Sequence, residues 1–443
     1  MFQKSFAFLV CAFALTPPAL WAEEALPALA AGEMPISVAV TPETARTITL
    51  RSAIELALAH SPQLKSVGAT QMASQGERRQ ARLLPNPQLS LDAENLAGSG
   101  AYRGTTSAEF TYGLSQLIEI GGKRSARQDV ADKGSQIAAY DYEAARLDLI
   151  RDVTIAYAEA VAAQEQVKLA DEQKRLASEV LQTVSKRVAA AAEPLIQKSK
   201  AEVALATSGI ALRNAQRSVA VIKTKLAALW GQENVDYSLD ASGFFTIQTP
   251  APVPGAAAEL TGTPDLARLD VAVERARANL DLEKANAIPD PTLSAGMRDF
   301  RESGSRAFLV SLSLPIPILN ANEGNIEKAG HELTKSEVDR RATTLALSTD
   351  LIRATEGLQT AYDEADSLRA TILPAAEKAF SLSRQGYQAG KFPYLEVLDA
   401  QRTLFETRAQ YITALKDYHA RRAEVERLTA TPVSPTAEGG ENE

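Results

Sequence analysis

From Lys123 to Ala190 the chain runs for 68 residues without a proline, and Ala, Glu, Lys, Arg and Leu fill most of that run. Proline breaks helices most firmly, because it lacks the N–H that the ladder needs. Its absence permits one helix over the whole stretch, which at about 1.5 Å per residue would be roughly 100 Å long. A turn at Ala191–Glu193 and Pro194 then reverses the chain, and a second helix returns to about Trp230. Pro194 suits the first turn of that helix. Helices this long exceed what a globular domain holds, so they must pack as a coiled coil or something related. Small residues dominate one side and charges are frequent elsewhere, which fits a narrow packed seam with another face in water.

The plan occurs twice. "LLPNPQLSLDAEN" (83–95) resembles "AIPDPTLSAGMRD" (287–299), with Pro85, Pro87 and Leu89 falling on Pro289, Pro291 and Leu293. "GLSQLIEIGG" (113–122) resembles "VSLSLPIPILN" (310–320), and "AAAAEPLIQKSKA" (189–201) resembles "QAGKFPYLEVLDA" (388–400), with Pro194 on Pro393. Three matches in one order, near one offset, mark a duplication. Each half reads as helix, two strands, long helix, turn, helix. The first repeat covers 50–231, with helices at Leu50–His60 and Pro62–Leu84, a β-hairpin at 88–120 and a long helical hairpin at 122–230. The second covers 263–430, with a helix at Pro264–Ala287, a β-hairpin at 292–318 and a helical hairpin at 324–429, its arms Asn325–Gln388 and Pro393–Thr429. Segments 23–49 and 232–262 read as linkers, the latter rich in Pro and Gly. Residues 431–443 read as a disordered tail.

The strands alternate. Leu89, Leu91 and Ala93 oppose Ser90, Asp92 and Glu94; Phe110, Tyr112 and Leu114 oppose Glu109, Thr111 and Ser115. Leu293, Ala295 and Met297 oppose Ser294, Gly296 and Arg298; Phe308, Val310, Leu312 and Leu314 enclose Ser311 and Ser313. A two-residue period with one apolar face is the mark of an outer-membrane barrel strand, with Tyr112 and Leu114 toward lipid and Ser115 toward a lumen. One such segment also fits a half-buried soluble strand; four of them, paired as hairpins, favour the barrel. Four strands are too few to close, since single-chain barrels start at about eight. An open edge in lipid would strand N–H and C=O groups at several kcal/mol each. Several copies must therefore pool their strands.

The N-terminus, "MFQKSFAFLVCAFALTPPALWAEE", reads as a secretory signal over residues 1–22, with Lys4 as the basic part, Phe6 to Leu15 as the apolar part and Ala22 before the cut. A cut within Ala28–Ala31 is the alternative. Cys11, the only cysteine, lies inside that segment, so the mature chain would hold neither disulfides nor thiolate metal sites. The net charge of −8, or −9 without Lys4, and the lack of a basic block make nucleic acid a poor partner. After the signal there is no run of eighteen apolar residues for a spanning helix.

On "LPNPQLSLDAEN", "LSQLIEIGGKRSAR", "SLSLPIPILNANEGNIEKA" and "YQAGKFPYLEVLDAQRTLF", the chain resembles the TolC family of outer-membrane efflux proteins over about 48–430. "IEIGGKR" resembles the CzcC-like branch, which serves heavy-metal exporters of the resistance-nodulation-division (RND) type. The resemblance implies a mainly α fold crowned by a membrane β-barrel: a homotrimer, four strands and two long helical hairpins per chain, duplicated halves, and a helical barrel reaching into the periplasm. It implies an exit duct in outer-membrane lipid, partnered by a periplasmic adaptor and an inner-membrane RND transporter. It places the aperture at Tyr387, Glu396 and Asp399, and the adaptor-contacting tips at Ala191, Glu193, Pro194, Gly390, Lys391, Phe392 and Pro393. Phe392 stands where general exporters carry an arginine, and Gln197 and Lys200 replace the acids in the first half. Acidic rings would then come from Glu396 and Asp399 alone, where they would attract cations. Read without the resemblance, the two acids simply suit a helix start.

"GGKRS" could be taken for a phosphate loop, but Leu117 stands where the first glycine belongs and Arg124 where the hydroxyl residue belongs. The better reading is a strand-to-helix junction at Gly121, Gly122, Lys123 and Arg124, where the glycines free the backbone to turn. Lys123, Arg124 and Arg127 oppose the dipole of the helix they start, so an interhelical carboxylate or a lipid headgroup is expected beside them. His60, His331 and His419 are far apart, without i,i+4 partners, and read as surface or interface residues. No cofactor, metal site or catalytic constellation is expected. Drug efflux or type I secretion would use the same architecture; a periplasmic coiled-coil adaptor would need a single hairpin flanked by β domains.

Overall fold

The computed structural model describes residues 46–96, 98–233, 236–251 and 259–431. The signal, most of the first linker and nearly all of the tail lie outside the described residues. Strand β1 (Arg46–Ile48) leads into helices α1 (Leu50–His60) and α2 (Pro62–Ala81). Thr49 and Ser52 form a reciprocal capping box for α1, and Ser61 caps α2, which has Pro62 in its first turn. α2 stops at Ala81, three residues before the expected Leu84. Pro85 pushes the preceding residue out of the helical region, and Arg82 and Leu83 tighten into i→i+3 bonds to Arg79 and Gln80.

Strands β2 (Gln88–Glu94) and β3 (Glu109–Leu117) form the first hairpin. Helix α3 spans Lys123–Ala189 without a break, and α4 (Leu195–Ala228) runs back along it. Strand β4 (Tyr237–Leu239) follows, then α5 (Pro264–Asn286). β5 (Thr292–Phe300) and β6 (Ser305–Ser313) form the second hairpin. Helix α6 (Glu323–Ser367) passes through a widened π-turn at Leu368–Ile372 into α7 (Leu373–Gln388), and α8 (Tyr394–Leu428) returns.

Three further details differ from the sequence reading. The arm expected to be continuous over 325–388 carries the π-turn because Pro374 has no N–H, and its ring crowds the carbonyl behind it; one wide turn, closed by Leu373 N–H donating to Leu368 O, absorbs both. Pro194 and Pro393 sit as extended N-caps (φ −69° and −70°) rather than inside the first turn. Each linker holds a short strand: β1 and β4 pair in parallel, Arg46 on Tyr237 and Ile48 on Leu239.

The larger sheet has the order β2-β3-β5-β6 and is antiparallel throughout. Its register aligns the alternation of all four strands. Leu91, Tyr112, Met297 and Phe308 form one row and Leu89, Leu114, Ala295 and Val310 the next, on the same face. The main core lies elsewhere, around the middle of α3, where Leu149, Val153, Ala156, Val161 and Ala162 are buried against α1, α4, the β1–β4 pair and α8. Alanine lets these backbones approach closely, and loss of a large side chain there would leave a void.

Candidate pore: sheet, junctions, belt and tips

Among the described residues nothing covers the sheet's apolar face. Leu89, Phe308, Val310 and Leu312 are 84 %, 89 %, 78 % and 69 % exposed, so the face is a surface and not half of a core. The other face is polar. Arg298 lies across it, 3.2 Å from the Glu94 carboxylate and 3.0 Å from that of Glu109, and donates to the Thr111 hydroxyl at 2.9 Å. Gly113 and Gly296 face one another across β3 and β5; a Cβ on Gly296 would lie 2.5 Å from Tyr112 O. No helix among the described residues is long and apolar enough to cross a membrane.

At the first junction Gly121 and Gly122 both have positive φ (71° and 80°), which a side chain resists. A Cβ on Gly121 would also strike the Ile288 side chain. The basic residues that follow answer the dipole problem in two ways. Lys123 pairs with Asp290 at 2.7 Å, both largely buried, and Asp290 also accepts Ile120 N–H at 2.9 Å. The carboxylate thus comes from the α5–β5 loop and not from a helix. Arg124 donates to Arg82 O at 2.7 and 3.0 Å, and Arg127 to Ala81 O and Leu83 O at 3.1 and 3.2 Å. These carbonyls are the free end of α2, the negative pole of a neighbouring helix. Charges unfavourable for their own helix are favourable for the one beside it. Arg127 also grips Glu119 and, through that hydrogen bond first, holds its carboxyl below the ordinary value.

The second junction is built differently. Asn322 takes the left-handed position (φ 67°) and donates to Glu283 O and its carboxylate at 2.8 Å. Ile316, Ile318 and Leu319 stand 76 %, 81 % and 99 % exposed.

Below the sheet, a belt of paired polar groups surrounds the core. Tyr157 OH lies 2.7 Å from Asp240 O and 3.0 Å from Ile48 O, so it clasps the ends of β4 and β1. Tyr418 OH donates to Gln248 O and accepts Gln248 N–H, both at 3.0 Å. Arg427, 10 % exposed, joins three helices through Asp148 on α3 (2.7 Å) and Asp265 on α5 (2.6 Å). His419, expected at a surface or interface, instead stacks on Phe244 and bonds its carbonyl at 2.8 Å; burial pushes its pKa below the usual histidine range. His331 does have an i,i+4 neighbour, Glu327 at 3.8 Å. Among the described residues no three His, Cys, Asp or Glu side chains gather to hold a metal.

The two tips meet at the far end. Tyr387 and Tyr394 pack together at 5.8 Å with Val184, Ala201 and Val397. Arg187 lies 4.6 Å over the Tyr387 ring and donates to Tyr387 O at 3.2 Å, with Glu193 3.6 Å from its Nε. Tyr387 is therefore buried within the chain, and Glu193 turns inward. Glu396 and Asp399 lie exposed one turn apart at the start of α8, away from Tyr387's cluster. Ala191, Pro194, Gly390, Lys391, Phe392 and Pro393 are exposed around the turns. Ala191 holds a left-handed conformation (φ 55°) where the second tip has Gly390 (φ 70°). Phe392 closes onto Gly386, where any Cβ would collide with its ring. The sequence reading passed over Leu195, Ile196 and Leu395, which are 69 %, 59 % and 59 % exposed beside the turns. The signal for them was available: apolar residues on the first turn after each Pro cap.

Against known proteins, the model of the family described as "Outer membrane efflux protein" matches residues 53–232 and 257–431. This chain belongs to the outer membrane efflux protein family. The two matched segments coincide with its two halves. The cobalt-zinc-cadmium resistance protein CzcC of Cupriavidus metallidurans is 31 % identical over 387 residues, 87 % of this chain and 91 % of that one. The nickel-cobalt-cadmium resistance protein NccC of Alcaligenes xylosoxydans xylosoxydans is 28 % identical over 300 residues, 68 % of this chain and 67 % of the relative. A crystal structure of CusC superposes with a TM-score of 0.75 over 86 % of this chain and 91 % of that one, at 19 % identity, and shares the fold.

Proposed function

We propose that this outer membrane efflux protein is the passive exit duct of a tripartite RND-type system, and that its cargo is heavy-metal cations. One observation carries the duct: a four-stranded sheet with two unpaired edges and an uncovered apolar face, mounted on two long helical hairpins. Three copies would close a twelve-stranded barrel in outer-membrane lipid, with the polar face and Arg298 toward the lumen. The hairpins would form a helical barrel in the periplasm, driven from the inner-membrane transporter and met at its tips by an adaptor. The exposed Leu195, Ile196 and Leu395 supply apolar contact there. The metal cargo rests on the likeness to CzcC and NccC, whose names specify cobalt, zinc, cadmium and nickel resistance. Exposed Glu396 and Asp399, repeated in three copies, would line the aperture with carboxylates that draw cations in. The chain's work is to hold a water-filled path open through lipid.

The test is fractionation and an unheated gel, followed by deletion and growth on metals and drugs. An outer-membrane trimer and sensitivity to divalent metals are expected. A soluble monomer would defeat the duct, and sensitivity to drugs alone would defeat the cargo.

A further inference from the structure

We infer that α7 has two packing registers, one residue apart, and that the π-turn at Leu368–Ile372 holds the spare residue that separates them. The inference concerns a single chain and does not depend on how many copies assemble.

The buried seam of the second hairpin displays the spare residue. Along α6 and into the π-turn it runs through Leu351, Ala354, Leu358, Ala361, Ala365 and Leu368, in alternating steps of three and four. Such steps keep one face of a helix on its neighbour, here Leu358 and Ala361 on Tyr418 of α8. Along α7 the covered positions are Leu373, Ala376, Phe380, Ser383 and Tyr387, again in steps of three and four. Between Leu368 and Leu373 the step is five. The π-turn thus adds one residue to the seam and sets all of α7 one residue out of phase with α6. In the first half, α3 buries Ala170, Ala177 and Val184 at steps of seven through one unbroken helix.

Without the spare residue the seam would pass through Ile372, Ala375, Ala379, Leu382 and Gly386. Each of these is apolar or small, and each directly precedes a member of the seam in use. Elsewhere between residues 372 and 388 every side chain but that of Pro374 is polar. α7 therefore carries two complete stripes, about 100° apart. The second lies open, with Ile372 and Leu382 44 % and 53 % exposed and Ala375 and Ala379 uncovered. Closing the π-turn into ordinary α-helix would rotate α7 by about 100° and advance it about 1.5 Å toward the tip. The turn around Gly390 would take up the extra residue.

Opposed interactions set the balance. Pro374 favours the present register, because a continuous helix would drive its ring into the Ala370 carbonyl. Arg187, lying over the Tyr387 ring, favours it too. The second register would bury Ile372 and Leu382, and would release to water the Tyr387 hydroxyl, which is buried here without a partner. Each register leaves something unsatisfied, which is the condition for two packings of one sequence to lie close in energy. The second hairpin thus has two end states where the first has one.

Disulfide trapping between α3 and α7 reads the register. In a Cys11→Ser background, Val180→Cys is paired with Phe380→Cys, its companion in the tip cluster, or with Ala379→Cys, which takes that place in the second register. Both bonds form within one chain, and the boiled, unreduced protein shows them by faster migration. The 180–380 bond should dominate in the parent. Pro374→Ala removes what holds the π-turn open, and should raise the 180–379 yield relative to 180–380 by at least about tenfold. Deleting Ala370 removes the spare residue, and should keep the 180–380 bond while abolishing the 180–379 bond. An unchanged ratio in Pro374→Ala overturns the inference, as does loss of the 180–380 bond in a folded Ala370 deletion. Should the deletion not fold, Pro374→Ala decides alone. Cross-links between chains at Ala379→Cys, with no change in the ratio, would make the second stripe a contact between copies and overturn the inference as well.

Discussion

The belt and the tips bury the same residue type at similar depth and treat it in opposite ways. In the belt, the hydroxyls of Tyr157, Tyr237 and Tyr418 all reach backbone partners, at 2.7 to 3.0 Å. At the tips, the buried hydroxyls of Tyr387 and Tyr394 have no hydrogen-bond partner, and neither do Arg187 Nε and Gln197 Oε1. Burial alone pushes Tyr237 up to about 12, and burial first, then Tyr387, pushes Tyr394 to about the same value. Desolvation is thus alike, and only satisfaction differs. A buried polar group without a partner costs about 1–3 kcal/mol. Every described side-chain atom of this kind lies at the tips. The belt is where the chain is held; the tips are where a second arrangement could give partners to groups that now lack them.

Substitutions sharpen this contrast, beginning with the largest expected effect. Arg427→Met leaves Asp265 without its cation and Asp148 with Arg151 alone, and should lower stability by about 3 kcal/mol in thermal denaturation of the detergent-purified protein. Tyr157→Phe removes the hydroxyl that Ile48 O and Asp240 O share, leaving Ile48 O with the Asp240 N–H alone, and should cost about 1–3 kcal/mol. The tip counterpart, Tyr394→Phe, removes an unpaired hydroxyl and should stay within about 0.5 kcal/mol of the parent or exceed it. A loss as large as that of Tyr157→Phe would end the distinction between the two regions.

Acid should act on the belt through His419. The unfolded chain takes up a proton near 6.5, while the folded site, desolvated and close to Arg422, takes it up only at lower pH. Stability is therefore complete above about pH 7 and falls as pH drops through the unfolded value, by at most about 1.4 kcal/mol per unit. Melting curves at stepped pH should show the decline, and His419→Gln should remove it. The smallest effect belongs to Glu119, whose lowered pKa makes its bond to Arg127 complete above the ordinary carboxylate range and lost as pH falls through the lowered value. Glu119→Gln should flatten the acid limb of the curve by less than about 1 kcal/mol.

Much of this was written in the chain. The run without proline fixed the length of α3, the alternation fixed the two faces of the sheet, and the repeated Pro-x-Pro marked where helices give way to strands. Local chemistry suffices for these, because a missing N–H or a two-residue period acts on its own neighbours. The π-turn at 368–372 is also legible, from Pro374. Other features depend on residues far apart in sequence. Nothing near Tyr157 announces that it clasps Ile48 and Asp240, and nothing near His419 announces Phe244. β1 and β4 are too short to show a period, and exist because they pair. Arg124 and Arg127 oppose the dipole of their own helix, and only the fold sets the end of α2 beside them.

The sequence by itself determined the duplication, the long helices and a sheet with one apolar face, since each follows from the order of neighbouring side chains. Only the tertiary structure decided which charges are satisfied, which hydroxyls are stranded and which edges stay open. Those depend on what the folded chain brings alongside, and hydrogen bonds and ion pairs are made or lost over a few ångströms that sequence spacing does not measure.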